Sequence, residues 1–293
     1  MNPLRHVSLG DVPSRPVLFV EGRDDSIDVF VLTLILRAPV VVRPLGPSYR
    51  LRSVAEALSP VHPNYYFLID RDHLEDSAVD DLWCGFPDPA RANLLVWRKK
   101  EIENYFLAPE FLEQSSYLVK PELLRGRISR GMEKRLCMGV ANRVIVSVRE
   151  DLKANWVELY SKPEDFPSRN EALAKLRDTV AFASFEAKVN GCLDRDELAR
   201  RFNHYFDMMT GGGDKLMHGV GRWLDLLSGK AVLNEVLASN CFVVKDQSDK
   251  FLQGDKKAKV IVKELLSDGK TLPKDFVELK ELIQTKVLSK PHA

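Results

Sequence analysis

The sequence predicts an α/β protein in which an N-terminal domain with a mostly parallel sheet precedes a mostly helical domain. Over roughly the first hundred residues, short apolar runs alternate with segments of helical spacing. This alternation is typical of βαβ units with right-handed crossovers. After residue 108 helical periodicity dominates, and strand-like runs become scarce. We therefore expect two domains, residues 1–108 and 109–293, a division that suits a chain of this length.

Four apolar runs predict the strands of the first domain. They lie at residues 17–20, 40–42, 65–69 and 93–97. The helices between them are expected at residues 26–37, 51–58 and 75–83. Gly22 supplies the turn after the first strand, and Asp24 or Asp25 can cap the first helix. Pro39 and Pro60 then end the first two helices.

The second domain is expected to consist mainly of helices. Helical spacing covers residues 109–118, 121–134, 143–159, 170–186, 194–209, 215–227, 230–238 and 276–287. The best strand-like run is at residues 241–244, and three consecutive glycines at residues 211–213 form a break.

Composition narrows the possible classes of protein. The net charge is only +1, so any binding of nucleic acid must come from an uneven distribution of charge. The cysteines are widely spaced, which indicates reduced thiols rather than a zinc site or a disulfide framework. The N-terminus lacks an apolar signal core, and Arg37 and Pro39 interrupt the most apolar run. We therefore expect a cytoplasmic protein that does not cross a membrane.

Acidic residues follow two of the predicted strands. Glu21 and Asp25 come after the first strand, and Asp70 and Asp72 come after the third. The carboxyl ends of parallel strands lie at one edge of a sheet, where α/β proteins bind ligands. Carboxylate oxygens suit Mg²⁺, with Mn²⁺ as a substitute, so we expect a site for one or two metals in phosphodiester chemistry. The alternative is that Asp24 and Asp25 only cap a helix, while Asp70 and Asp72 lie in a polar turn.

A charged segment follows the fourth strand. Glu103 could complete the metal site, with Glu101 as its competitor. Arg98, Lys99 and Lys100 precede them and could bind a phosphate of the substrate. In the alternative interpretation, the acids only lie in the first turn of a helix, where its dipole favours them.

Basic residues also occur later in the chain. Residues 120–149 contain eight lysines and arginines but only two glutamates. This excess of positive charge suits contact with phosphates. The alternative is an ordinary solvated helix face. Lys230, before a predicted helix, could likewise touch nucleic acid or be solvated. The sequence contains no G-x-x-x-x-G-K-[ST] motif, so any ATP would be handled by a partner.

Four segments resemble known families. The run VEGRDD at residues 20–25 resembles the VEGxxD signature of nucleases of the OLD class, and IDRD at residues 69–72 supplies the DxD element of Toprim domains. The run RKKEIENYFL at residues 98–107 resembles the R-x-x-E-I-E-N-Y-L/F segment of the DUF4435 group. Gly229 and Lys230 resemble a G-K-x-[IVL]-L element of the helical half of these proteins.

The resemblance implies a Rossmann-like Toprim domain over about residues 16–107 and a metal-dependent nuclease. Its metal ligands would be Glu21, Asp25, Asp70 and Asp72. The DUF4435 group includes the Toprim effector of the PARIS anti-phage system, which implies an endoribonuclease that cleaves host tRNA. An ATPase partner would restrain it, and the released form would be a homodimer. Two alternatives remain: a DNA nuclease of the OLD class, and a regulatory or interaction subunit whose acids do not catalyse.

Overall fold

The computed structural model describes residues 15–37, 39–46, 48–154, 168–177 and 180–289. The chain divides into two compact units, of which one combines Met1–Met132 with Leu224–Ala293 and the other contains Glu133–Trp223. This division differs from the predicted boundary after residue 108. The reason is that helices from the end of the chain pack in the same unit as the sheet.

The first unit contains a parallel sheet, as predicted. Its strands are β1 (Val17–Val20), β2 (Val41–Pro44), β3 (Tyr65–Ile69) and β4 (Leu94–Val96). Their order in space is β2-β1-β3-β4, and all neighbouring pairs are parallel. Every residue of the central strands β1 and β3 is buried. Their continuous apolar sequences suit that environment, because a central parallel strand is covered on both faces.

Helices occupy most of the remaining described chain, so the fold is mixed α/β. Those of the first half are α1 (Ile27–Leu36), α2 (Ser48–Leu58), α3 (Asp76–Gly85), α4 (Glu103–Phe106), α5 (Pro109–Leu112) and α6 (Pro121–Ala154). Those of the second half are α7 (Arg169–Arg177), α8 (Val180–Leu193), α9 (Arg195–Thr210), α10 (Trp223–Leu226), α11 (Lys230–Ala238), α12 (Gly254–Leu265) and α13 (Lys274–Leu282). Helices α12 and α13 both contact α1.

Several predicted helices differ from the observed ones. Helix α6 merges two predicted helices, and residues 155–159 of the second lie outside the described residues. The helices predicted at residues 109–118 and 215–227 are reduced to α5 and α10. Helix α12 was not predicted, although its buried Ile261, Val262 and Leu265 have helical spacing. No strand forms at residues 241–244, where Phe242 makes a single isolated bridge with Leu118.

The second unit has a small apolar core of its own. Val144 and Val148 from the later part of α6 pack with Cys192 of α8. Arg201 of α9 lies beside this core and forms an ion pair with Asp151, with 2.6 Å between the charged atoms. All four cysteines of the chain are free thiols. None of the helices in the described ranges has the length and apolarity needed to span a bilayer.

Candidate metal and phosphate site

The turn after β1 places Glu21 at the carboxyl edge of the sheet. Gly22 has φ +100°, and a Cβ at this position would approach the Cβ of Ser26 to 2.8 Å, so glycine is needed here. Ser26, and not Asp24 or Asp25 as predicted, caps α1, because its hydroxyl accepts a hydrogen bond from the Val29 N–H. The chain therefore leaves β1, turns once and enters α1 beside the end of β3.

Glu21 and Asp70 meet at this edge, as predicted from their positions after parallel strands. The Oε1 atom of Glu21 accepts a hydrogen bond of 2.9 Å from the backbone N–H of Asp70. The pKa of Glu21 is raised to about 7, chiefly by burial; the hydrogen bond from Asp70 lowers it, and the carboxylates of Asp72 and Asp28 raise it. Glu21 is thus half protonated near neutral pH when no cation compensates its charge.

Asp70 is the most strongly perturbed acid of the cluster. Burial raises its pKa to about 10, and four neighbouring carboxylates contribute. These belong to Glu21, Asp28, Glu101 and Glu103. A carboxyl group in this environment holds its proton at neutral pH unless a cation is bound nearby.

Glu103 and Glu101 have different roles in the structure. Glu103 is buried at the start of α4, and burial raises its pKa to about 8, with Asp28 and Glu101 contributing. Glu101 instead accepts hydrogen bonds from the Lys230 N–H at 2.7 Å and from the Ser228 hydroxyl at 2.8 Å. It therefore holds the N-terminal end of α11, and Glu103 is the acid directed into the cluster.

Asp28 belongs to this cluster and was missed by the sequence analysis. It lies in the first turn of α1 and is only 8% exposed. Burial raises its pKa to about 6, partly offset by the charge of Lys230. The signal in the sequence was an acid in the first turn of an otherwise apolar helix that follows the strand bearing Glu21.

Asp72 and Asp25 lie at the rim rather than among the buried carboxyls. The side chain of Asp72 is 56% exposed, and its carboxylate is 3.4 Å from the Nζ of Lys100. The same ammonium donates to the backbone oxygen of Asp72 at 2.8 Å. Asp25 is exposed and lines a pocket that it shares with Glu103 and Lys230.

The predicted phosphate-binding cations separate into two pairs. Lys100 reaches Asp72, and the Nζ of Lys230 lies 3.9 Å from the Oε1 of Glu103. Burial lowers the pKa of Lys230, but neighbouring carboxylates, Glu103 first, outweigh burial and raise it. Lys230 therefore remains charged at neutral pH beside the acidic cluster.

Arg98 and Lys99 are instead held by acids distant in the sequence. The Arg98 guanidinium donates two hydrogen bonds to Glu278, at 2.7 and 3.0 Å, and a third to Asp275 at 3.0 Å. The Lys99 ammonium lies 2.7 Å from a carboxylate oxygen of Asp225. Both cations are therefore engaged with acids outside the carboxyl cluster, and these contacts do not support the predicted binding of phosphate by this pair.

A buried amide fixes the segment that carries Glu101 and Glu103 against the segment before α11. Asn104 is fully buried and donates hydrogen bonds of 2.8 and 2.7 Å to the backbone oxygens of Leu224 and Leu227. A Cβ at Gly229 would lie 2.9 Å from the Oδ1 of Asn104, so the close packing requires glycine. These contacts give Asn104 the role of positioning backbone.

The donor set fits a hard divalent cation in chemistry and charge. Carboxylate oxygens are the usual ligands of Mg²⁺ and Mn²⁺. The pKa values of Glu21, Asp70 and Glu103 are all raised, so a cation that compensates their charges would be favoured. In the described part of the chain, however, no three histidine, cysteine or acidic side chains are arranged to hold a metal ion. Coordination would therefore require these side chains to turn toward the ion.

The chain was compared with known proteins at three levels. Neither a protein-family model nor a curated protein nor a solved structure matches it.

Proposed function

We propose that this protein is a Mg²⁺-dependent Toprim endoribonuclease of the DUF4435 group. The observation that carries the proposal is the convergence of Glu21, Asp70 and Glu103 from three segments at the carboxyl edge of one parallel sheet. The first two residues belong to the VEGxxD and DxD elements, and the third belongs to the EIENY segment. These are the segments whose resemblance indicates a Toprim nuclease.

The residues of the site have separable tasks in phosphodiester hydrolysis. A bound divalent cation would supply a nucleophilic water and would stabilise the charge that develops on phosphate. Glu21 and Asp70 would hold that cation, with Asp28 and Glu103 completing the negative environment. Lys230 lies on the helical side of the cluster, where its ammonium can bind a phosphate oxygen. Lys100 lies at the rim beside Asp72, where it could bind phosphate in the same way.

The proposed biological role follows the same resemblance. The nuclease would be the toxic effector of an anti-phage defence system and would cleave host tRNA. An ATPase partner would restrain it until infection, after which it would act as a homodimer. What supports this role is the resemblance of the RKKEIENYFL segment, in which Glu101 accepts a hydrogen bond from the Lys230 N–H and Asn104 donates to the Leu227 oxygen.

Cleavage of total tRNA with Mg²⁺ tests the catalytic part of the proposal. We expect Glu21→Gln and Asp70→Asn each to reduce cleavage by at least about a hundredfold, because each replaces a carboxylate ligand by a neutral amide. Asp249→Asn is a matched control, since Asp249 is an exposed aspartate that pairs with Lys245. Its cleavage rate should stay within about twofold of wild type. Wild-type cleavage by Asp70→Asn, with an unchanged circular dichroism spectrum, would contradict the proposal.

A non-catalytic interaction subunit is the second candidate. The observation that favours it is the lack, within the described ranges, of a group of three side chains arranged to bind metal. Wild-type protein that cleaves neither tRNA nor plasmid DNA with Mg²⁺ or Mn²⁺ would support this candidate. Preferential nicking of the plasmid would instead indicate the DNA nuclease.

A further inference from the structure

A pocket adjoins the carboxyl cluster on its helical side. It lies between α1, α11 and α12, and it shares Glu103 and Lys230 with the cluster. The residues on which its chemistry depends are Phe30, Asn234, Lys259 and Val262, together with the two shared residues. Whatever occupies this pocket is therefore next to the proposed metal and phosphate site.

One wall of the pocket is apolar and contains an aromatic ring. Phe30 of α1 is half-buried, and Ile27 and Val262 line the same pocket. The Nζ of Lys259 lies 5.8 Å from the centre of the Phe30 ring. The Phe30 ring therefore borders the pocket with the Lys259 ammonium over it, and a flat ligand would stack on the ring in place of that ammonium.

The polar groups of the pocket suit a neutral ligand rather than a second phosphate. Lys230 and Lys259 contribute two positive charges, and Asp25, Glu103 and Asp255 contribute three carboxyl groups. With this balance an additional anion would not be favoured. Asn234, in contrast, exposes an amide on the pocket wall. An amide offers both donors and an acceptor, which match the edge of a nucleobase.

We propose that this pocket binds the base of the nucleotide next to the phosphate at the carboxyl cluster, by stacking on Phe30 with Asn234 at the base edge. The proposal rests on the proposed nuclease function and specifies its substrate. A base that enters a pocket between helices has left its stack, so the substrate is RNA that is single-stranded or looped at the site of cleavage. Continuous duplex RNA would leave the pocket empty.

Binding of RNA can be measured separately from its cleavage. The probe is a short fluorescein-labelled single-stranded RNA, alone or annealed to its complement, with Ca²⁺ in place of Mg²⁺ and fluorescence anisotropy as the readout. A gel confirms that the RNA stays intact. The variants are Phe30→Leu, which removes the ring, and Phe30→Trp, which retains one. Phe251→Leu is the matched control, because Phe251 is an exposed phenylalanine with the Lys245 ammonium 5.3 Å from its ring.

We expect wild-type protein to bind the single strand more tightly than the duplex. Phe30→Leu should weaken binding of the single strand about tenfold, as the loss of one stacked base predicts. Binding by Phe30→Trp and Phe251→Leu should stay within about threefold of wild type, and binding of the duplex should not depend on Phe30.

Three outcomes would overturn the base pocket: no binding of the single strand by wild type, equal affinity of Phe30→Leu and wild type, or an equal loss in Phe251→Leu. If one of these occurs while wild type still cleaves tRNA with Mg²⁺, the nuclease function stands without the pocket. Phe30-dependent binding by a wild-type protein that cleaves no RNA would support the pocket and would contradict the nuclease function.

Discussion

Replacing Asn104 by alanine tests how the candidate site is held together. The Asn104 amide is fully buried and donates to the backbone oxygens of Leu224 and Leu227. In Asn104→Ala both oxygens lose this donor, and each buried polar group without a partner costs about 1–3 kcal/mol. With the small cavity that remains, we expect the free energy of unfolding to fall by about 2–5 kcal/mol.

Urea denaturation followed by circular dichroism measures this change, provided that the slope of the transition is the same in both proteins. Asn240→Ala is the matched control, since Asn240 accepts a hydrogen bond of 2.7 Å from Arg127 at an exposed position. Its effect should not exceed about 0.5 kcal/mol. If Asn104→Ala is no more destabilising than Asn240→Ala, the buried amide does not join these two segments and the reasoning is refuted.

Two further predictions concern charge at the site. Lys230→Gln should slow cleavage of tRNA at least about tenfold, because it removes the ammonium that lies 3.9 Å from Glu103. The control Lys245→Gln should cleave within about twofold of the wild-type rate. A rate within about twofold of wild type for Lys230→Gln would exclude a role of Lys230 in binding phosphate. In EDTA, the thermal midpoint should fall as the pH rises from about 5 to about 8. The sign follows because Glu21 and Glu103 keep their protons up to about pH 7 and 8 in the folded protein but lose them near pH 4.5 when unfolded. Asp70→Asn should weaken the dependence of the thermal midpoint on pH. A wild-type midpoint that rises between about pH 5 and pH 8 would contradict the prediction.

Much of the sheet could be predicted, because the information was local. The strands at residues 17–20 and 65–69 are continuous apolar runs, and their observed bounds agree with the predicted ones. Helix α12 was not predicted, because lysines and acids separate most of its apolar residues in the sequence.

The candidate site, like the fold, could be predicted only where the information was local in the sequence. Glu21 and Asp70 could be placed together because parallel strands bring their carboxyl ends to one edge. The environment of Arg98 could not be predicted, since its partner Glu278 is 180 residues away. Asp28 was missed because a position in the first turn of a helix suggests capping rather than burial. Contacts between distant segments decide these roles, and a single sequence does not display them.

Isothermal titration of Mn²⁺ into metal-free protein at pH 8 tests the central claim most directly, because it asks whether the clustered carboxyls bind a divalent cation at all. We predict saturable binding by wild type, a large loss of affinity in Asp70→Asn, and unchanged binding in Asp249→Asn. Absence of binding by wild type, or equal binding by Asp70→Asn, would contradict the account.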